Sequence, residues 1–206
     1  MNLFNQDTQE RKFIKIPVKD GELWYMEHFM PLNIAQTYYN TLSNTITWKQ
    51  ETITLYGKTH TVPRKTAWYG NKGTTYRYSG ITHDPEPWTK ALLDIKKVIE
   101  HVLNKETFNS VLLNLYRNGN DKMGWHADNE KELGTHPTIA SVSLGATRRF
   151  DLKHKTDTKQ KIQLQLSPGS LIIMRGALQH HWLHQIPAQK KITDSRINLT
   201  YRNIIK

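Results

Sequence analysis

His126 and Asp128 alternate in Trp125-His126-Ala127-Asp128-Asn129-Glu130, and in an extended chain they share one face with Glu130. An imidazole and a carboxylate on one side of a strand end can fill two corners of a metal octahedron. A second histidine from elsewhere would complete a 2-His-1-carboxylate facial triad, which leaves positions open for substrate and oxygen on Fe(II). The third ligand must come from His180-His181-x-x-His184. On a strand, His180 and His184 take one face and His181 the other, so parity does not choose among them. The chain has no cysteine, so every metal ligand is nitrogen or oxygen.

A second constellation lies near the C-terminus. Arg196, Asn198, Thr200 and Arg202 share one strand face; Ile197, Leu199 and Tyr201 share the other. The apolar face must meet the core. The polar face then presents two arginines whose Cα atoms stand about 20 Å apart. Their side chains can lean inward and grip both ends of a short dicarboxylate, because the planar guanidinium binds carboxylates bidentately. A solvated edge strand is the alternative. Asn114 and Tyr116 repeat the pattern on a strand otherwise apolar at Val111, Leu112, Leu113 and Leu115. A buried amide and phenol need partners, and a bound carboxylate would be one.

The elements that must position these residues are short. Residues 1–20 are polar and charged, a leader or an edge strand. Pro31 to Leu42 predicts a helix, with Leu32, Ala35, Tyr39 and Leu42 at helical spacing. Trp48 to Tyr56 predicts a strand that turns at Gly57-Lys58. Val62-Pro63-Arg64-Lys65 is basic and proline-stiffened, and is expected to be exposed. From Trp88 to Leu103, Trp88, Ala91, Leu92, Ile95, Val98, Ile99 and Val102 form one apolar stripe of a helix. Thereafter Val111–Tyr116, Thr138–Leu144, Arg148–Leu152, Lys161–Leu166, Ser170–Met174, His180–His184 and Arg196–Ile204 read as strands separated by turn signals. So many short strands imply a sandwich or jelly roll. The fold class is α+β: residues 1–20 a leader, 21–107 a mixed extension, and 108–206 an all-β core, forming one structural unit.

The chain has 206 residues, with 29 Lys+Arg against 18 Asp+Glu and a formal net charge of +11. Such an excess favours polyanionic partners, nucleic acid first. No apolar run reaches membrane-spanning length, and the N-terminus lacks the basic-then-apolar pattern of a secretory signal. The expected protein is a monomer, not secreted and without a membrane partner, working in a bacterial cytoplasm or, in a eukaryote, the nucleus.

Taken together, Asn114-x-Tyr116, His126-x-Asp128, His184 and Arg196-x-Asn198-Leu199-Thr200-x-Arg202 resemble the AlkB-type Fe(II)/2-oxoglutarate dioxygenases. Pro63-Arg64-Lys65-Thr66, Tyr76-Arg77-Tyr78-Ser79 and Ala140-Ser141-Val142-Ser143-Leu144-Gly145 support the match, which spans roughly Glu51 to Ile204. The resemblance implies a double-stranded β-helix (jelly-roll) core with an N-terminal nucleotide-recognition lid and supporting helices. It selects His184 as the third ligand beside His126 and Asp128. It implies Fe(II), with 2-oxoglutarate and O2 as cosubstrates. Arg196, with Asn114 and Tyr116, would grip the distal carboxylate; Arg202, Asn198 and Thr200 would serve the other end.

The activity implied is oxidative demethylation of N-alkylated bases (1-methyladenine, 3-methylcytosine) in DNA. Succinate, CO2 and formaldehyde are the products. A paired base must be flipped into a pocket for such chemistry. By the resemblance Tyr76, Arg77 and Tyr78 belong to the lid, Tyr78 as a stacking surface. Asn129 and Glu130 meet the base edge. Tyr56-Gly57-Lys58 is a hairpin tip whose aromatic side chain fills the vacated stack. Arg64 and Lys65 hold phosphates. An RNA N-methyl demethylase is the rival within the enzyme class. A non-catalytic nucleic-acid-binding module on the same fold is the rival outside it.

Overall fold

The computed structural model describes residues 12–55, 58–78, 81–104 and 106–205. In chain order β1 (Ile14–Ile16), β2 (Glu22–Met26) and α1 (Leu32–Thr45) come first. Next are β3 (Thr52–Leu55), β4 (Lys58–Thr61), β5 (Lys65–Gly70), β6 (Tyr76–Tyr78), β7 (Ile81–His83) and α2 (Lys90–Leu103). The remaining strands are β8 (Ser110–Tyr116), β9 (Met123–His126), β10 (Ile139–Gly145), β11 (Arg148–His154), β12 (Lys161–Leu166) and β13 (Leu171–Arg175), followed by α3 (Leu178–His181), β14 (Trp182–Ile186) and β15 (Arg196–Arg202).

Two antiparallel sheets form the body. The major sheet runs β1-β2-β13-β10-β15-β8-β5 and the minor sheet β12-β11-β14-β9. The hairpins β3–β4 and β6–β7 stand outside both. Parity on β15 decides the layering. Ile197, Leu199 and Tyr201 join Val111, Leu113, Val142 and Leu144 in a cluster with Ala35, Leu42, Leu92, Ile95 and Ile99 of the two long helices. The helices therefore cover one face of the major sheet. The other face turns toward the minor sheet, where Tyr116, Ile139, Met174, Phe150, Leu152 and Trp182 pack together. Every residue of β15 is buried, which excludes a solvated edge strand. This is a jelly roll whose inner polar stripe faces its own cavity.

The helix over Lys90–Leu103 forms where its stripe predicts. Thr89 caps it, its hydroxyl accepting from the Leu92 N–H at 3.3 Å. Lys90–Asp94 and Lys96–Glu100 pair across single turns. The first helix differs from expectation. It buries Ala35, Tyr38 and Leu42, while Leu32 is 64% exposed. The face is rotated so that Tyr38, not Tyr39, enters the core.

Two strands unmarked by the sequence pattern appear, and one strand boundary is corrected. Lys65–Gly70 is a strand pairing with β8 along its whole length, and all its residues after Lys65 are buried. Glu22–Met26 pairs with β13, so residues 21–107 contribute strands to the same sheet as the core. His180 and His181 lie on α3, and the strand begins only at Trp182.

The loop leading to His126 is held against the loop after His184. Gly119 N donates to Ile192 O and Gln189 N to Gly119 O, both at 2.7 Å. A Cβ at Gly119 would lie 1.9 Å from Gln189 O, so only glycine permits this approach. Arg148, fully buried, donates to Asp121 O and Pro187 O at 2.8 Å and to Asn118 O at 3.1 Å. One side chain thus ties together the loops flanking both histidines.

Candidate active site

His126 ends β9 and pairs directly with His184 of β14. Their rings lie 4.2 Å apart, centroid to centroid. Asp128 follows in the turn, with Oδ2 4.0 Å from His184 Nε2. The ligand atoms of His126, Asp128 and His184 all fall within 4.8 Å of one another. His126 Nδ1 lies 2.8 Å from Gly124 O. A carbonyl only accepts, so Nδ1 donates there, which leaves Nε2 as the ring nitrogen that can turn to a metal. Burial and the neighbouring His126 push His184 down to about 3, against the pull of Asp128, so its ring is neutral at physiological pH. Burial pushes the Asp128 carboxyl up, but Arg202 and the two histidines outweigh it and hold the group at about 2. One carboxylate and two imidazoles are the donor set that suits a facial Fe(II) site.

A second group, Asp20, His154 and His181, lies as close together. Its chemistry differs. His154 Nδ1 accepts from the N–H groups of Asp157 (3.0 Å) and Thr156 (3.3 Å). Nε2 must then carry the proton, which it donates to Asp20 Oδ2 at 3.2 Å. That nitrogen is not available as a ligand, and the cluster is a hydrogen-bonded brace.

One cavity joins the triad to the polar stripe: Asn114, Tyr116, Arg196, Asn198, Thr200 and Arg202 line it. Asn114 stands opposite Asn198, and Tyr116 opposite Arg196. Arg196 is 1% exposed. Its Nη2 donates to Ser143 Oγ at 2.8 Å, while Nε and Nη1 find no acceptor among the described residues. Burial lowers its guanidinium to about 10, so it remains a cation at neutral pH. Its carbon centre lies 5.4 Å from the Tyr116 ring centroid. A buried cation with two unanswered donors is shaped for an anion, and a carboxylate answers both. Phe150, Leu166, Met174 and Ile186 supply the dry wall of the cavity.

The structure redistributes the other roles on the stripe. Arg202, which also lines the cavity, donates from Nη2 to Asp128 Oδ1 at 2.8 Å and so orients the carboxylate of the triad. Asn198 Nδ2 bonds Ser141 Oγ at 2.7 Å and Val142 O at 3.2 Å, and Thr200 Oγ1 donates to Asn198 Oδ1. These two residues brace β15 against β10 while lining the cavity. Ser141 and Ser143 emerge only as partners across the sheet.

Arg64 is the clearest correction. It is 3% exposed, not a surface cation, and its Nε donates to Asn114 Oδ1 at 2.6 Å. Lys65 is half-buried. Glu130 lines the cavity mouth, and Asn129 beside it is exposed. Tyr56 and Gly57 fall outside the described residues, as do the side chains of Lys58, Tyr76, Arg77 and Tyr78. Lys58 begins β4 and Tyr76–Tyr78 make up β6, strands of the hairpins β3–β4 and β6–β7. His180 contacts Thr135 O, and His181 stacks on His154, so neither reaches the triad.

Gln179 had no signal in the sequence beyond its place before the histidines. It is 1% exposed, and its Oε1 accepts from the backbone N–H of Asp128 at 2.9 Å. It fixes the turn that presents the carboxylate. Gln179→Leu should weaken metal binding about 10–100-fold, the usual cost of losing a partner behind a ligand. Titration with Mn(II) checks this; unchanged affinity would reduce Gln179 to packing.

An antiparallel jelly roll that gathers two histidines and one carboxylate at the end of its interior is the architecture of a facial-triad metal oxygenase. Comparison with known proteins agrees. The model of the 2OG-Fe(II) oxygenase superfamily matches residues 22–202. The chain is 42% identical over 161 residues to the Bos taurus DNA oxidative demethylase ALKBH2, covering 74% of this chain and 57% of that protein. To the Bos taurus alpha-ketoglutarate-dependent dioxygenase alkB homolog 3 it is 40% identical over 185 residues, 85% of this chain and 64% of the relative. With the Arabidopsis thaliana DNA oxidative demethylase ALKBH2 the identity is 35% over 213 residues, 90% of this chain and 67% of the relative. Among solved structures, that of OsALKBH1 superposes with a TM-score of 0.60 at 16% identity, over 91% of this chain and all of that one, which shows the fold. The chain belongs to the 2OG-Fe(II) oxygenase superfamily as an AlkB-type member. It spans between 57% and 64% of the length of the two bovine relatives.

Proposed function

We propose that this protein removes small N-alkyl groups, those of 1-methyladenine and 3-methylcytosine, from DNA. One observation carries the reading: the unanswered donors of buried Arg196 open into the same cavity as the His126–Asp128–His184 group. A non-catalytic binding module has no need to keep an anion receptor behind a metal site. The printed names of the bovine and Arabidopsis relatives support DNA as the substrate class, and the net charge of +11 suits it.

Fe(II) would be held by His126, Asp128 and His184, and 2-oxoglutarate by Arg196 with Asn114 and Tyr116. With O2, that pair supplies the oxidising power to hydroxylate an N-methyl carbon as 2-oxoglutarate becomes succinate and CO2. The resulting N-hydroxymethyl group loses formaldehyde, its hydroxyl proton passing to the base nitrogen. The protein's own tasks are binding and placement. Arg196 fixes the distal carboxylate, Arg202 holds Asp128 in its ligating pose, and the Phe150–Met174 wall keeps water out. Glu130 and Asn129 meet the base at the mouth, and Tyr78 stacks on it.

One methylated oligonucleotide offered as single strand, duplex and RNA tests the reading through iron- and 2-oxoglutarate-dependent formaldehyde release. No release from any form would remove the enzyme reading, and release from RNA alone would make it an RNA demethylase. Tyr56, which follows β3 in the chain, is proposed as the wedge that fills the vacated stack. Tyr56→Ala should therefore slow duplex turnover about tenfold, since unstacking costs about a few kcal/mol per step. Single-strand turnover should hardly change. Equal losses on both would make Tyr56 a turn residue.

A further inference from the structure

The burial of Arg64 gives this residue a different task from the phosphate contact its basic neighbourhood suggests. It sits in the short link between β4 and β5. Its own backbone is pinned there: Arg64 N donates to Val62 O at 2.8 Å. The Gln50 amide donates to Val62 O and Arg64 O at 2.6 and 3.1 Å. Gln50 in turn accepts from Arg117 Nη1 at 3.4 Å, and Arg117 pairs with Asp121 at 2.8 Å. Lys122 N closes the arrangement on Pro63 O at 3.0 Å. The link is thus fastened to the loop that leads from β8 to His126.

From that fixed base the guanidinium reaches Asn114. A carboxamide has an accepting end and a donating end of nearly the same shape, and only its partners decide which way it faces. A guanidinium donates and never accepts. With Nε 2.6 Å from Oδ1, Arg64 selects the orientation that points the Asn114 oxygen toward itself. Nδ2, the donating end, is left for a ligand in the cavity that Asn114 lines with Tyr116 and Arg196. The flipped amide would present a lone pair to an anion and repel it.

We infer that Arg64 is a positioning residue for the anionic cosubstrate, acting through the Asn114 amide, and not a contact to nucleic-acid phosphate. This rests on the reading of Asn114 as a 2-oxoglutarate residue. It also joins the exit of the β3–β4 hairpin to the cosubstrate cavity through one side chain.

The test measures 2-oxoglutarate binding directly, by calorimetry on Mn(II)-loaded protein without nucleic acid, beside KM values for both substrates. Arg64→Met keeps the stem and removes the donors. It should weaken 2-oxoglutarate binding about tenfold, while the oligonucleotide KM and its salt dependence stay as in wild type. Arg64→Lys, which still donates, should recover part of the loss and serves as the probe if the methionine variant does not fold. In the Asn114→Ala background, Arg64→Met should add little, because the two act in series. Wild-type 2-oxoglutarate affinity in the Arg64 variants, with weaker oligonucleotide binding and a shallower salt slope, would overturn the inference and restore the phosphate role. Failure of the wild-type protein itself to bind 2-oxoglutarate would instead sink the functional reading beneath it.

Discussion

His126→Ala, Asp128→Ala and His184→Ala each reduce iron-dependent formaldehyde release to background, and they separate on stability. Each removes one of three protein bonds to a metal at an open-sided site, so no partial activity is expected. The fold feels them differently. His126 is half-buried, and its ring meets Gly124 O within its own strand. Its loss should leave the melting temperature within a few degrees of wild type. Asp128 is the buried carboxylate beside the Arg202 guanidinium at 2.8 Å. Removing it takes the buried carboxylate partner away from a buried guanidinium, a change that typically costs about 3–5 kcal/mol. For a chain of this size that lowers Tm by roughly 10 °C. Thermal melts of the metal-free variants, run beside the formaldehyde assay, check both parts. Wild-type release from His184→Ala would pass the third position to another residue. An Asp128→Ala melt equal to wild type would mean that the Arg202 pair contributes nothing to the fold.

Arg196→Met raises the 2-oxoglutarate requirement about 10–100-fold and leaves the ligand-free protein no less stable. A charge-assisted pair is worth about 1.5–3 kcal/mol, which converts to that range. The stability half follows from the orphaned donors. In the ligand-free chain Nε and Nη1 of a fully buried guanidinium are without acceptors among the described residues, and burying a charge in that state is costly. An apolar side chain of similar length removes the cost, as replacement of buried ions by well-packed hydrophobes often does. The site is thus held in readiness for its ligand at the expense of the empty fold. The check is a pair of melting curves. Saturating 2-oxoglutarate should raise the wild-type Tm by linkage and leave that of Arg196→Met nearly unmoved. A 2-oxoglutarate dependence unchanged by the substitution would place the arginine outside cosubstrate binding.

Parity along single strands was legible in the linear chain. That Arg196, Asn198, Thr200 and Arg202 share a face follows from alternation alone, and so does the shared face of Asn114 and Tyr116. The stripe of the second long helix is equally local, since helical spacing needs no knowledge of what the stripe meets. The first long helix shows the limit: its stripe straddles Tyr38 and Tyr39, and only the neighbouring sheet selects between them. The absence of cysteine restricted metal ligands to nitrogen and oxygen before any folding was considered.

Which atom meets which was decided by the tertiary structure. Local pattern left three histidines near residue 180, and only the turn of helix over Leu178–His181 sends two of them away. Arg64 reads as exposed beside Pro63 and Lys65, yet its partner Asn114 is 50 residues on. Gln179 reaches Asp128 across 51 residues, and Arg202 reaches the same carboxylate across 74. A hydrogen bond is made by separation in space, and strand alternation states only on which side a group lies. The residues that aim the ligands were therefore invisible until the two sheets had closed over them.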